Sequence, residues 1–165
     1  MLTRRVARGF TLVELLVVMG IAAIGATLAA PGVAQLVANY KVRTAAEGIV
    51  TALNYARTEA VRRNSPVSFS LGTSGGWSVQ QNSPATTLQT RSASDLAGLA
   101  VASSTSSTSV TFVATGLVQS GTQMTQVDVS STAGDTQTRR INIFGGGLIR
   151  MCDPSVTTTS DPRRC

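Results

Sequence analysis

A chain of 165 residues is the length of one domain, and a composition 42% hydrophobic against 13% charged is apolar for that length. The net charge is +6, but Arg4, Arg5 and Arg8 stand before Gly9. Without those three, eleven basic side chains face eight acidic ones, a weakly basic balance that identifies no polyanion partner. Histidine is absent, which removes the commonest general base and metal ligand.

Residues 1–9 read as a basic leader. Its arginines lie before an apolar run with no comparable cluster just beyond it, so the leader belongs in the cytoplasm and the bulk of the chain across the membrane. An ordinary secretory signal is the first alternative. The apolar run exceeds the usual signal core, and only Thr27-Leu28-Ala29 imitates a cleavage site. A plain membrane anchor is the second alternative; it explains the run but not Glu14. From Leu15 to Tyr40 there is no formal charge, enough for a tilted span, so residues 10–40 read as a transmembrane helix and 41–165 as an exported head. Pro31-Gly32 interrupts the run. A kink is expected there, unless Pro31 starts a second helix at its first turn.

Apolar residues recur at helical spacing at Val33, Leu36, Val37 and Tyr40, then at Ile49, Leu53, Ala56 and Ala60. The second set, in a stretch carrying Glu47, Arg57, Glu59 and Arg62, predicts one buried and one wet face. Asn64-Ser65-Pro66 ends the helix. A helix from Phe10 to about Asn64 would be on the order of 80 Å long.

Beyond Pro66 the pattern changes to short alternating runs. Val67–Leu71, Trp77–Gln80, Val110–Ala114, Val127–Ser130 and Arg140–Phe144 predict strands, with Leu148–Met151 a weaker sixth. Residues 83–109, rich in Ser, Thr and Ala, predict a loop-dominated excursion with at most one short strand. The expected fold is α+β, the soluble half of the long helix packed on an antiparallel β-sheet head. Cys152 and Cys165 read as a disulfide in an exported domain, worth about 3 kcal/mol in the chain-entropy model, against two free thiols as the alternative. A metal site needs more ligands than two cysteines supply.

Gly72-Thr73-Ser74-Gly75-Gly76 fits the Gly-x-Ser-x-Gly nucleophile pattern, but no histidine exists to serve as base, and it reads as a turn. The single lysine, Lys41, belongs to the rod. Asp95, Asp128, Asp135, Asp153 and Asp161 show no metal-loop spacing. Neither an enzyme nor a cofactor is expected.

Gly9-Phe10-Thr11-Leu12-Val13-Glu14 and the apolar run after it resemble the class III signal of type IV pilins and type II secretion pseudopilins. The segment Ala56–Val67 resembles the helix-to-strand junction of the GspH/FimT group. The resemblance implies cleavage after Gly9 by a prepilin peptidase, N-methylation of Phe10, passage through the bacterial inner membrane, and assembly with other major and minor pilins into a pilus or pseudopilus. Glu14 and Pro31 are then the assembly residues. A carboxylate at bilayer depth costs about 2.5–3.5 kcal/mol on the mildest insertion scale. Pairing with the Phe10 amine of a neighbouring subunit offsets that cost during polymerisation. Alternatively, Glu14 stays near the interface, protonated or hydrated.

Arg139, Arg140, Arg150, Arg163 and Arg164 crowd the C-terminal region. FimT-type minor pilins that take up DNA carry Gly-Arg-x-Arg at the closing turn. The corresponding residues here are Gly147-Leu148-Ile149-Arg150, so Gly147 and Arg150 match and Leu148 does not. The resemblance thus raises DNA as a partner, bound through its phosphates. The alternative is a solvated rim partly paired with Asp153 and Asp161.

Overall fold

The structure, a computed structural model, describes residues 10–134 and 136–165; within α1 the side chains of residues 28–31 lie outside that set. The leader, Gly9 included, and Asp135 are therefore outside the described residues, and the kink and assembly role expected of Pro31 concern a side chain outside them.

Helix α1 runs Leu12–Arg63. Thr11 caps it: its hydroxyl accepts from the Glu14 amide at 3.2 Å, and its carbonyl accepts from Leu15 N. Thr11-x-x-Glu14 has the composition of a capping box, and Glu14 also places an acid in the positive first turn. At the far end Asn64 adopts φ 47°, Ser65 N bonds to the Ala60 carbonyl and Asn64 N to that of Val61. This is a Schellman closure with Asn in the left-handed position. Pro66 then starts the first strand's approach.

Among the described residues no helix taken singly is long and apolar enough to cross a membrane; the α1 segments Leu12–Thr27 and Gly32–Arg63 meet that requirement together, by length and composition. The chain divides into two compact units, one ending at Leu36 and the other spanning Val37–Cys165. In the first, Leu12, Val13, Leu15, Leu16, Ile21 and Ile24 are all exposed. A helix apolar all round has no core of its own to face.

In the second unit, Val42, Ala46, Ile49, Leu53, Ala56 and Ala60 of α1 are fully buried. The wet face holds at Glu47 but not at Glu59, which is 5% exposed. The reason is pairing: Glu59 accepts from Arg62 (2.7 and 2.9 Å) and from Arg63 (2.6 Å).

Among its described residues the head contains eight strands: β1 (Val67–Leu71), β2 (Trp77–Asn82), β3 (Ala85–Arg91), β4 (Leu99–Ser103), β5 (Ser109–Phe112), β6 (Gln126–Ser131), β7 (Arg139–Ile143) and β8 (Ile149–Cys152). They form two four-stranded sheets, ordered β3-β2-β1-β5 and β4-β6-β7-β8, with every pairing antiparallel. The antiparallel head is thus divided between two sheets, and residues 83–109, for which at most one short strand is expected, hold β3, β4 and a short 3-10 turn, Ala93–Leu96. One core joins both sheets to α1, with Phe69, Phe112, Met124 and Ile141 fully buried in it. The Gly72–Gly76 segment is the β1–β2 turn, closed by Gly72 N to Gly76 O and Gly75 N to Gly72 O, with Gly75 at φ +86°.

Candidate assembly site and C-terminal arginine cluster

Phe10 is 83% exposed, and Glu14 is exposed one turn into α1. Among the described residues the Glu14 carboxylate has no ion-pair partner within the chain. An apolar helix surface with one uncompensated acid near its start is chemically suited to a neighbour that brings a cation.

The C-terminal arginines are placed by β7, β8 and the loop that follows. Cys152 and Cys165 form a disulfide. Inside it Asp153 N donates to Arg163 O at 2.7 Å, and Asp153 bridges Arg164 in parallel. Asp153 is 3% exposed; it accepts from Arg139 at 2.6 Å, from Ser155 N at 3.0 Å and from the Ser155 hydroxyl. Burial acts to raise its pKa, but donation from Ser155 and Arg139 outweighs this and holds the carboxyl below its usual range.

Arg140 grips Asp128 in a fork, 2.8 and 2.9 Å, because β6 and β7 place those two residues opposite each other. Burial again opposes ionisation of Asp128, and bonds from Arg140 and Ser104 overcome it. Arg163 holds Asp161 through Nε (3.1 Å) and Nη2 (2.7 Å); donation from the Arg163 side chain and amide lowers the Asp161 pKa to about 2. Arg150 instead donates from Nη2 to the carbonyls of Pro162 and Arg164, both at 3.1 Å, pinning the loop to β8. No ion pair holds the Arg164 side chain among the described residues.

Gly147 sits at the closing turn at φ +78°, where a Cβ would overlap the Gly116 carbonyl oxygen and lie 2.9 Å from Arg57 Nε. Its glycine identity is therefore required by packing; Arg57 Nε also donates to Gly116 O at 3.0 Å. Leu148 beside it is 60% exposed. The sequence points to Asp153 and Asp161 as partners of these arginines, but not to Asp128 for Arg140, nor to the Arg62–Glu59–Arg63 clamp. The latter was legible as i,i+3 and i,i+4 spacing; the former needs strand register. Among the described residues no group of His, Cys, Asp or Glu is arranged to hold a metal.

A long helix with an apolar, unpartnered first half, joined to an antiparallel head, is the architecture of a pilin-type filament subunit. The chain belongs to the GspH family: the family model for type II transport protein GspH matches residues 45–147, and that for the prokaryotic N-terminal methylation motif matches residues 4–30. Its fold is that of two solved chains of the Pseudomonas aeruginosa (strain PAO1) type IV minor pilin FimU. In the P21 crystal form the match has 20% identity and a TM-score of 0.59, covering 73% of this chain and 95% of that one. In the P65 form it has 20% identity and a TM-score of 0.54, covering 72% and 98%. No curated protein matches the chain.

Proposed function

We propose that this chain is a minor pilin, cleaved after Gly9, methylated at Phe10, and assembled through α1 at or near the tip of a type IV pilus, where it primes polymerisation. In this reading a prepilin peptidase acts on the chain, which is itself a structural subunit and not an enzyme. Before assembly it is a single-pass inner-membrane protein, its leader cytoplasmic and its head on the far side. The observation that carries the reading is the exposed apolar start of α1 with Glu14 unpaired in its first turn. Once another subunit supplies the missing apolar surface and cation, that arrangement becomes favourable.

A second reading, a pseudopilin of type II secretion, is supported by the description of the matching family model. The experiment that tests both is intact-mass analysis of the chain recovered from sheared surface filaments and from membranes. The proposal expects a methylated mature chain beginning at Phe10 in the pilus fraction. A chain confined to the membrane unless secretion components are overproduced favours the pseudopilin, and a chain beginning elsewhere overturns both.

DNA uptake is left outside this reading, because Arg139, Arg140 and Arg163 already hold carboxylates and Arg150 holds backbone carbonyls.

A further inference from the structure

Unlike Arg139, Arg140 and Arg163, neither Lys41 nor Arg91 forms an ion pair among the described residues. Both line one cavity of about 590 Å³, whose other walls include Val37, Tyr40, Leu96 and Leu99. Lys41 is exposed on α1. Arg91, at the end of β3, is half-buried, its Nη1 lying 3.5 Å from where a Cβ on Gly48 would stand. One acid, Asp95, shares the cavity without pairing to either cation. The volume falls within the range of small-ligand sites, and the lining combines an apolar wall with two cations.

The position of this cavity along the chain identifies what fills it. Lys41 is the first charged residue after Glu14. A bilayer's hydrocarbon core is about 30 Å thick, so a helix entering at Glu14 leaves it after about 20 residues, a few more with tilt. Val37, Tyr40 and Lys41 then fall at the outer interface, where aromatic and basic side chains anchor to headgroups.

We infer that the cavity seats the headgroup of an anionic phospholipid, its phosphate between Lys41 and Arg91 and its first acyl carbons against Val37, Leu96 and Leu99. Two cations against one acid favour a headgroup with net negative charge over a zwitterionic one. The site would steady the head on the membrane while the subunit awaits assembly. This inference rests on the membrane-held state proposed above.

The test uses the full-length chain, extracted from membranes in detergent and mixed with phosphatidylglycerol or phosphatidylcholine, with retained lipid counted by native mass spectrometry. One phosphatidylglycerol is expected to remain bound, preferred over phosphatidylcholine by about tenfold. Lys41→Gln with Arg91→Gln abolishes that preference. Exposed Lys41→Gln alone weakens it with the fold intact, and Arg91→Lys keeps it.

Equal retention by the double variant, or equal retention of the two lipids, overturns the inference. So does displacement by inorganic phosphate alone, which would make the site one for free anions, or loss of a bound second copy of the chain in the same variants. A chain absent from the membrane fraction defeats the proposed function itself. A membrane-bound chain with no lipid preference defeats only the lipid site.

Discussion

The Arg139 guanidinium meets the Asp153 carboxylate at 2.6 Å, with 19% and 4% of the two side chains exposed. That pair joins β7 to the start of the disulfide loop from beneath, whereas Arg163–Asp161 joins residues of the loop's own surface.

The two pairs differ in what their loss costs. Asp153→Ala leaves Arg139 half-shielded without a carboxylate. It is expected to lower the unfolding free energy of the Val37–Cys165 unit by about 2–3 kcal/mol, less than for a fully buried pair because Arg139 keeps some solvent. Asp161→Ala, at a pair whose Arg163 is 68% exposed, is expected to cost far less. Urea denaturation of the two variants checks the contrast.

Glu59 is one acid-sensitive joint of the head, beside the lowered carboxyls of Asp128, Asp153 and Asp161. Donation first from Arg62 and then from Arg63 lowers its pKa from 4.5 to about 2. A carboxyl whose folded pKa lies below its unfolded value adds stability that is complete above the unfolded pKa and is lost as pH falls towards the folded one. The head is therefore expected to lose stability between about pH 5 and pH 2. Glu59→Gln should flatten that part of the profile, read from urea midpoints at each pH. An unchanged slope in the variant would assign the acid sensitivity elsewhere.

Gly147→Ala combines a left-handed backbone with a collision against the Gly116 carbonyl. Such strain costs about 1–3 kcal/mol, and the collision adds to it. The expected result is a lower melting temperature for the variant head. Leu148→Ala, at an exposed neighbour, should leave it unchanged.

Much of this architecture follows from the sequence because its signals are local. The charge-free run, the Ile49–Ala60 periodicity and the Asn64-Ser65-Pro66 stop delimit α1, and β1, β2, β5, β6, β7 and β8 each carry apolar residues that end in the core. β3 carries no such signal. Its residues are almost all exposed, Ala-Thr-Thr-Leu-Gln-Thr-Arg, and the strand exists because β2 offers an edge to pair with. β4 is likewise an edge strand with no fully buried position, paired to β6 across a long intervening segment. Division into two sheets depends on which strand each edge finds, and Arg140 opposite Asp128 depends on register, neither of which composition encodes. The cation pair Lys41 and Arg91 is likewise brought together only by the fold.

The arginine placement also bears on nucleic acid. With three guanidiniums held by Asp153, Asp128 and Asp161, few positive charges remain for phosphates. Gel-shift titration of the head against double-stranded DNA is expected to show weak binding with a shallow salt slope, on the order of one or two released counterions. A steep slope that collapses with Arg150→Ala would instead establish a phosphate-binding face.

In the proposed filament, Glu14 joins this subunit to its neighbour during polymerisation. Expressing Glu14→Ala beside the wild-type chain, and measuring each in membranes and in sheared filaments, tests this. The variant is expected to reach the membrane at the wild-type level and to fall at least about tenfold in filaments, the loss of a single favourable ion pair at low dielectric. Equal amounts of the two in filaments would contradict the claim.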